Sequence, residues 1–354
     1  MEVSYVIIQN RKYDRGRSMR KSNSLLKDLI GLALIGVFLY LFFFVDFKEI
    51  PLEIPSSWLN VNTIFLSIVI EAIPFILLGV FASALIQTFV SEETIKKFLP
   101  KNAFAAIIPA AILGAIFPIC ECAIIPVVRR LIKKGMPLHV GVVLLVGAPI
   151  LNPVVVASTY FAFNGDPTIL YGRFGLAFVL CIVIGLLMLL LFDNKNQLRW
   201  TKNELQGRQD AALEQPVLQQ NKWKATFYHA SDEFFDMGKY LIAGAFIASL
   251  FQTFLDRSIL LALGQNEVLS PAVMMAFAYV LSLCSEADAF VAASFGTTFT
   301  TGSLLAFMIY GPMLDLKNTF MLFAYFRTKF VLVFMAVVTV VVFASILIFQ
   351  QLVL

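Results

Sequence analysis

Charge is scarce in this chain. Asp, Glu, Lys and Arg make up 14% of its 354 residues, against about 25% in a soluble domain. That shortage excludes an ordinary aqueous globule. Histidine occurs twice, at His139 and His229, and neither has a second His nearby, which argues against a His-based metal site. Cysteine occurs four times, too few in a chain of this kind for a disulfide framework. There is no phosphate loop, no Ser/His/Asp set that spacing can support and no nucleotide-binding domain. The chain is therefore read as no enzyme and as needing no cofactor. Energy for any work it does has to come from an ion gradient or a separate subunit. Net charge is +4, but the positive residues cluster in short connecting segments. That is the pattern of membrane orientation, not of nucleic-acid binding.

What is abundant is apolar: 59% of the residues are hydrophobic and 35 are Phe. Runs of bilayer-crossing length recur from end to end. The expected fold is an all-α polytopic membrane protein of about nine membrane elements, between eight and ten, some of them broken by Pro or Gly. Residues 1–24 read as a basic cytoplasmic tail, and 25–60 as a leading span with an outside loop. The first apolar run has no small-residue cleavage site after it, so it is expected to stay as an uncleaved span. Residues 61–192 form a first repeat, 193–233 a polar cytoplasmic linker and 234–354 a second repeat.

The repeat rests on matches in register. Gly79, Phe81, Leu85, Gln87, Thr88 and Phe89 align with Gly244, Phe246, Leu250, Gln252, Thr253 and Phe254, which puts Glu71 on Asp236. With small offset drift, Cys120 falls on Cys284, Pro149 on Pro312 and Asn152 on Asp315. Repeated halves with breaks in corresponding places point to a transporter whose substrate site lies where the breaks meet. Two arrangements stay open. If all four elements of each half cross once, the repeats are parallel. The basic run Arg129–Lys134 then lands outside, against the positive-inside rule. If one of the first two elements is a re-entrant hairpin, the repeats are inverted.

The chemistry concentrates in Pro118-Ile119-Cys120-Glu121-Cys122-Ala123-Ile124-Ile125-Pro126 and its partial copy Cys284-Ser285-Glu286-Ala287-Asp288. Thiolates prefer soft metals and, by the same logic, trivalent arsenic. Cys120, Cys122 and Cys284 are candidate metal or substrate ligands, and the plain alternative is inert buried thiols. Cys181, inside an uninterrupted apolar run, reads as a small core hydrophobe. Glu121, Glu286 and Asp288 are candidate coupling groups, since a buried carboxylate can cycle a proton. Their alternative is service at a helix terminus. Glu71 and Asp236 have the same two readings. Around Gly147–Pro153 and Tyr310–Asn318 the crossings are expected to unwind, with Pro149, Asn152 and Asp315 near substrate. The alternative there is a simple kink, with Asp315 paired to Lys317. Arg173, Arg327 and Lys329 are expected to snorkel to a membrane face.

The Cys-centred motif is followed by Arg129–Lys134-Gly135-Met136-Pro137 and then by Gly147-Ala148-Pro149-Ile150-Leu151-Asn152-Pro153. In these motifs, and over about residues 60–350, the sequence resembles the YraQ/YcgR permease family, which includes the ArsP organoarsenical efflux permeases. The resemblance implies a multi-pass plasma-membrane permease. It makes export of a small soft solute, such as a trivalent (organo)arsenical or metal species, the leading expectation. The alternatives are a permease for another solute, working with a partner subunit and with structural Cys, and a membrane thiol oxidoreductase. The last would need an accessible low-pKa thiolate and a redox partner. Expected partners are the lipid bilayer and a small solute. Partner subunit and homo-oligomer both stay open. The second motif departs from the first by placing Ser285-Glu286 where the first has Glu121-Cys122. Cys120 and Cys284 are thus the paired thiols, and the halves diverge at Cys122 and Glu286.

Overall fold

Long apolar runs satisfy their backbone groups internally as helices, because a bilayer offers no water to do so. The computed structural model describes residues 56–89, 93, 106–116, 120–192, 197–199, 222–254 and 269–353. The expected tail, leading span and most of the linker lie outside the described residues. Among those described, the chain is helical, with one isolated β-bridge between Leu198 and Phe326.

The first half holds α1 (Ser56–Phe89), α2 (Ile107–Ile116), α3 (Glu121–Lys133), α4 (Leu138–Leu151), α5 (Pro153–Ala162) and α6 (Pro167–Phe192). The second holds α7 (Lys222–Phe254), α8 (Leu269–Leu281), α9 (Ser285–Ser294), α10 (Thr301–Met313), α11 (Leu316–Tyr325) and α12 (Thr328–Val353). Helix α7 starts inside the segment read as linker. There Trp223 packs against Phe89 in a tilted arrangement, with ring centroids 5.6 Å apart.

Contacts fix the directions. Gly135, at φ +99°, turns the chain after α3, and a side chain at Gly141 of α4 would meet Val128 and Ile132 of α3, so α3 and α4 are antiparallel. Gly114 of α2 abuts Ala148 of α4, while Ile107 and Val143 both face Gly185 of α6. Helix α2 therefore runs alongside α4 and antiparallel to α3, and the two make a hairpin whose open end bears Arg129–Lys134. We call this the basic end. Helices α4 and α5 form one broken crossing, the window Leu138–Ala162, which is 72% buried against about a third for the other long spans. Helix α6 returns, with Cys181 beside Gly147 and Arg173 bonded to Thr159.

The second half takes the same order with every direction reversed. Helices α1 and α7 are antiparallel: Thr226 bonds Thr88 at the basic end, and Phe65 packs edge-on to Phe246 further along. Helix α8 runs with α10, through Ser270 to Ser303 and Ala278 to Gly311. Helix α9 turns back, carrying Phe295 to Phe277 at 5.7 Å. This hairpin enters from the end opposite the basic one. Helices α10 and α11 make the second broken crossing and reach the basic end, where Tyr325 lies under Arg129. Helix α12 returns, with Tyr310 bonded to Thr339.

Large apolar side chains such as Phe161, Tyr171, Leu190 and Val340 stay exposed on the outer helices. On a membrane protein these face lipid, which is as apolar as a core.

Candidate functional site at the hairpin tips

Cys120 and Cys284 each stand in extended backbone immediately before a helix. Their carbonyls accept the first intrahelical bonds, from Ala123 and Ile124 in one case and from Ala287 and Asp288 in the other. Neither thiol caps its helix. The acids that follow, Glu121 in α3 and Glu286 and Asp288 in α9, sit in the first turn, where a helix dipole favours negative charge. All three acids thus lie at a helix N-terminus.

Glu121 does more than complement a dipole. It is 3% exposed, and its Oε1 accepts from the Lys317 ammonium at 3.1 Å. Its Oε2 accepts from Ser285 Oγ of the other tip at 3.4 Å. Lys317 Nζ also donates to the Ser282 carbonyl at 2.6 Å and lies 3.2 Å from Asp315 Oδ2. One buried ammonium thus joins the α3 tip, the unwound residue before α9 and the break before α11. The expected Asp315–Lys317 pair exists, within a larger cluster.

The breaks are tighter than the sequence suggested. Helix α4 runs through Pro149 to Leu151, and Asn152 alone leaves the helix, with ψ 152°. Pro153 at the first position of α5 disfavours helical backbone in the residue before it. Asn152 Oδ1 then caps α5 by accepting from Val155 N at 2.9 Å. Helix α10 likewise runs through Pro312, and Asp315 caps α11 by accepting from Asn318 N at 2.6 Å. Both polar residues are buried and act as caps.

The cysteines at the tips are free and buried, as is Cys181. Cys122 and Cys120 are in hydrogen-bond reach of one another, and Cys284 is in reach of Glu71. Among the described residues, no three His, Cys, Asp or Glu side chains are spaced to hold a metal ion. Of the sequence candidates, Glu71, Glu121, Cys284 and Glu286 fall within one electrostatic neighbourhood, together with Lys317 and Arg173. Asp236 does not join them. It pairs with Lys239 three residues on, at 2.7 Å, and its further neighbour is Tyr325 at the basic end.

Arg173 corrects a second reading. It does not snorkel: it is 0% exposed, and its guanidinium donates to Thr159 Oγ1 at 2.7 Å and to the Ser285 and Met308 carbonyls at 3.1 Å each. A planar fork suits three fixed acceptors. Asp288 and Glu286 stand in its field. Arg327 and Lys329, by contrast, are exposed, as expected of residues at a membrane face.

Sequence reasoning missed three groups. Arg173 carries a usable signal, a lone cation within an apolar element, and Lys317 carries one as a cation two residues from Asp315. Glu233 carries none, because it sits in a stretch that reads as polar linker. It is 5% exposed, accepts from Arg130 at 3.0 Å and from Ser83 Oγ at 2.8 Å, and forms a longer ion pair with Arg129 at 3.6 Å. This cluster ties α1, α3 and α7 together at the basic end.

Several helices long and apolar enough to cross a membrane, two hairpins of opposite sense and a buried charged cluster between them fit a polytopic membrane protein. Its relatives agree. The sequence profile of an ArsP-type family, described as a predicted permease, matches residues 57–351. The UPF0718 protein YcgR of Bacillus subtilis is 48% identical over 290 residues, covering 82% of this chain and 97% of that protein. A Streptococcus mutans protein, named as a subunit of a two-component membrane permease complex, is 36% identical over 293 residues, covering 82% of this chain and 95% of that one. The chain belongs to this permease family. No solved structure matches it significantly.

Proposed function

We propose that the protein is an alternating-access permease made of two inverted halves, and that it exports a small soft solute, such as a trivalent arsenical or a thiophilic metal species. The solute is held where the hairpin tips meet. One observation carries this reading: each tip places a thiol, uncommitted to capping, at the start of a helix, and the two tips touch through Glu121 and Ser285. A trivalent arsenical with an As–OH group binds a thiol by forming As–S and releasing water, and it leaves by the reverse exchange. Such a ligand needs one or two thiols rather than a closed metal shell, which suits this site. The acids of the cluster supply the coupling, and the basic end faces the cytoplasm.

The test is organoarsenical uptake into inverted vesicles by Cys120→Ser/Cys122→Ser. Transport should fall to the background of empty vesicles. Transport at the unaltered rate would sink the ligand role. A second reading is favoured by the S. mutans relative's name and by the lack of a three-ligand metal cluster among the described residues: a different solute, carried with a partner subunit. Stoichiometric co-purification of a second membrane protein, together with arsenical-independent transport, would select it.

A further inference from the structure

The Lys317 ammonium donates to the Ser282 carbonyl at 2.6 Å and to Glu121 Oε1 at 3.1 Å, and it forms an ion pair with Asp315 Oδ2 at 3.2 Å. We propose that this shell is a monovalent-cation site, sized for potassium or ammonium, which the protein fills with its own tethered ammonium.

The ligands are those a hard cation takes: two carboxylates and a backbone carbonyl from unwound chain. They come from three separate elements, so the cation is what holds the α3 tip, the start of α9 and the break before α11 at one point. Two of the three separations, 3.1 and 3.2 Å, are longer than the oxygen distances of calcium, about 2.3–2.6 Å, or of magnesium, about 2.0–2.1 Å. Ser282 is built to aim its carbonyl. Its φ is +50°, unusual for a residue with a side chain, and its own hydroxyl is engaged with Leu316 N at 3.2 Å and Tyr279 O at 3.2 Å. The tether is short. A side chain at Gly244 of α7 would come within 2.9 Å of the Lys317 Cα, so that backbone is fixed against α7. Glu121, Asp315 and Lys317 are each 3% exposed or less. With the cation supplied by the chain, no alkali ion is required at this point.

The site uses the tips invoked in the proposed function, but it is read by stability and not by transport, so either idea can fail alone. The probe is potassium chloride against N-methylglucamine chloride at equal ionic strength, with the full chain in nanodiscs. Lys317→Ala should unfold several degrees higher in potassium or ammonium than in N-methylglucamine, and sodium should help less. The unaltered protein should show no difference, and Lys317→Ala/Glu121→Gln should lose the response. Equal stability of Lys317→Ala in all salts overturns the proposal. So does a potassium response in the unaltered protein. If Lys317→Ala cannot be recovered in N-methylglucamine, the readout becomes recovery itself. Monodisperse protein from potassium extraction supports the site, and aggregation in both salts overturns it.

Discussion

The first hairpin tip offers a neighbour its side chain, and the second offers its backbone. Glu121 receives the Lys317 ammonium, whereas at the other tip the Ser285 carbonyl receives the Arg173 guanidinium. Both tethers join one half of the protein to the other. Their chemistry differs in consequence. A carboxylate–ammonium pair dissolves when either member changes charge or a solute competes for it. A guanidinium on carbonyls stays charged and cannot be neutralised. The far ends of the hairpins differ too. Helix α3 ends on ions, Arg129 and Arg130 against Glu233, while α9 ends among Phe277, Phe295 and Phe299. On the proposed function, tip one would be the responsive element and tip two the frame it works against.

The largest effect should come from removing the frame. Arg173→Ala takes a donor from the Ser285 and Met308 carbonyls and from Thr159 Oγ1, whose own proton stays on the Val155 carbonyl, and it removes the positive charge facing Asp288, at a cost of about 5 kcal/mol. Most of the protein should fail to fold, read as loss of monodisperse yield. Arg173→Lys should recover less than half, because one ammonium cannot reproduce a planar fork. An Arg173→Ala protein of normal stability would break the comparison at its stronger side.

Glu121→Gln should cost less, about 2 kcal/mol, since the amide still accepts from Lys317 and Asp315 still supplies a charge. The thermal midpoint checks this. Transport should nonetheless fall to background, because the carboxylate that pairs with Lys317 is gone. A variant that is both stable and active would leave tip one no more responsive than tip two.

How much of this was legible beforehand depends on the kind of evidence each feature leaves in a sequence. Span length and charge scarcity gave the helical membrane fold, because bilayer thickness imposes them directly. Prolines and glycines marked both broken crossings to within a few residues. The hairpin was one of two readings open from the basic run Arg129–Lys134. Side-chain partners were not legible. Nothing local says that Glu121 meets Lys317, which lies 196 positions away. Arg173 looked like a residue at a membrane face because its burial depends on acceptors from α5, α9 and α10. Asp236 followed Glu71 in the alignment but not in space, since α1 and α7 run in opposite directions.

The smallest effect tests the two feet of the hairpins. Glu233→Gln keeps a hydrogen bond from Ser83 and one from Arg130 but loses the charge, worth about 1 kcal/mol. Phe299→Leu removes an edge-to-face ring contact at 5.9 Å with Phe295, also worth about 1 kcal/mol. Each should shift a local opening equilibrium by roughly fivefold. The direction of access should separate them. In a protein keeping only Cys122, Glu233→Gln should speed alkylation by an impermeant maleimide added at the basic end. In one keeping only Cys284, Phe299→Leu should do so from the opposite end. If the ion cluster is a gate and not merely a brace, the Glu233→Gln rate will also fall as solute is added, because a filled site holds the tips together. The Phe299→Leu rate should be less sensitive to solute, as befits the fixed frame. Equal sensitivity at both ends would mean that the hairpins move alike, and that the difference between their tethers has no mechanical consequence.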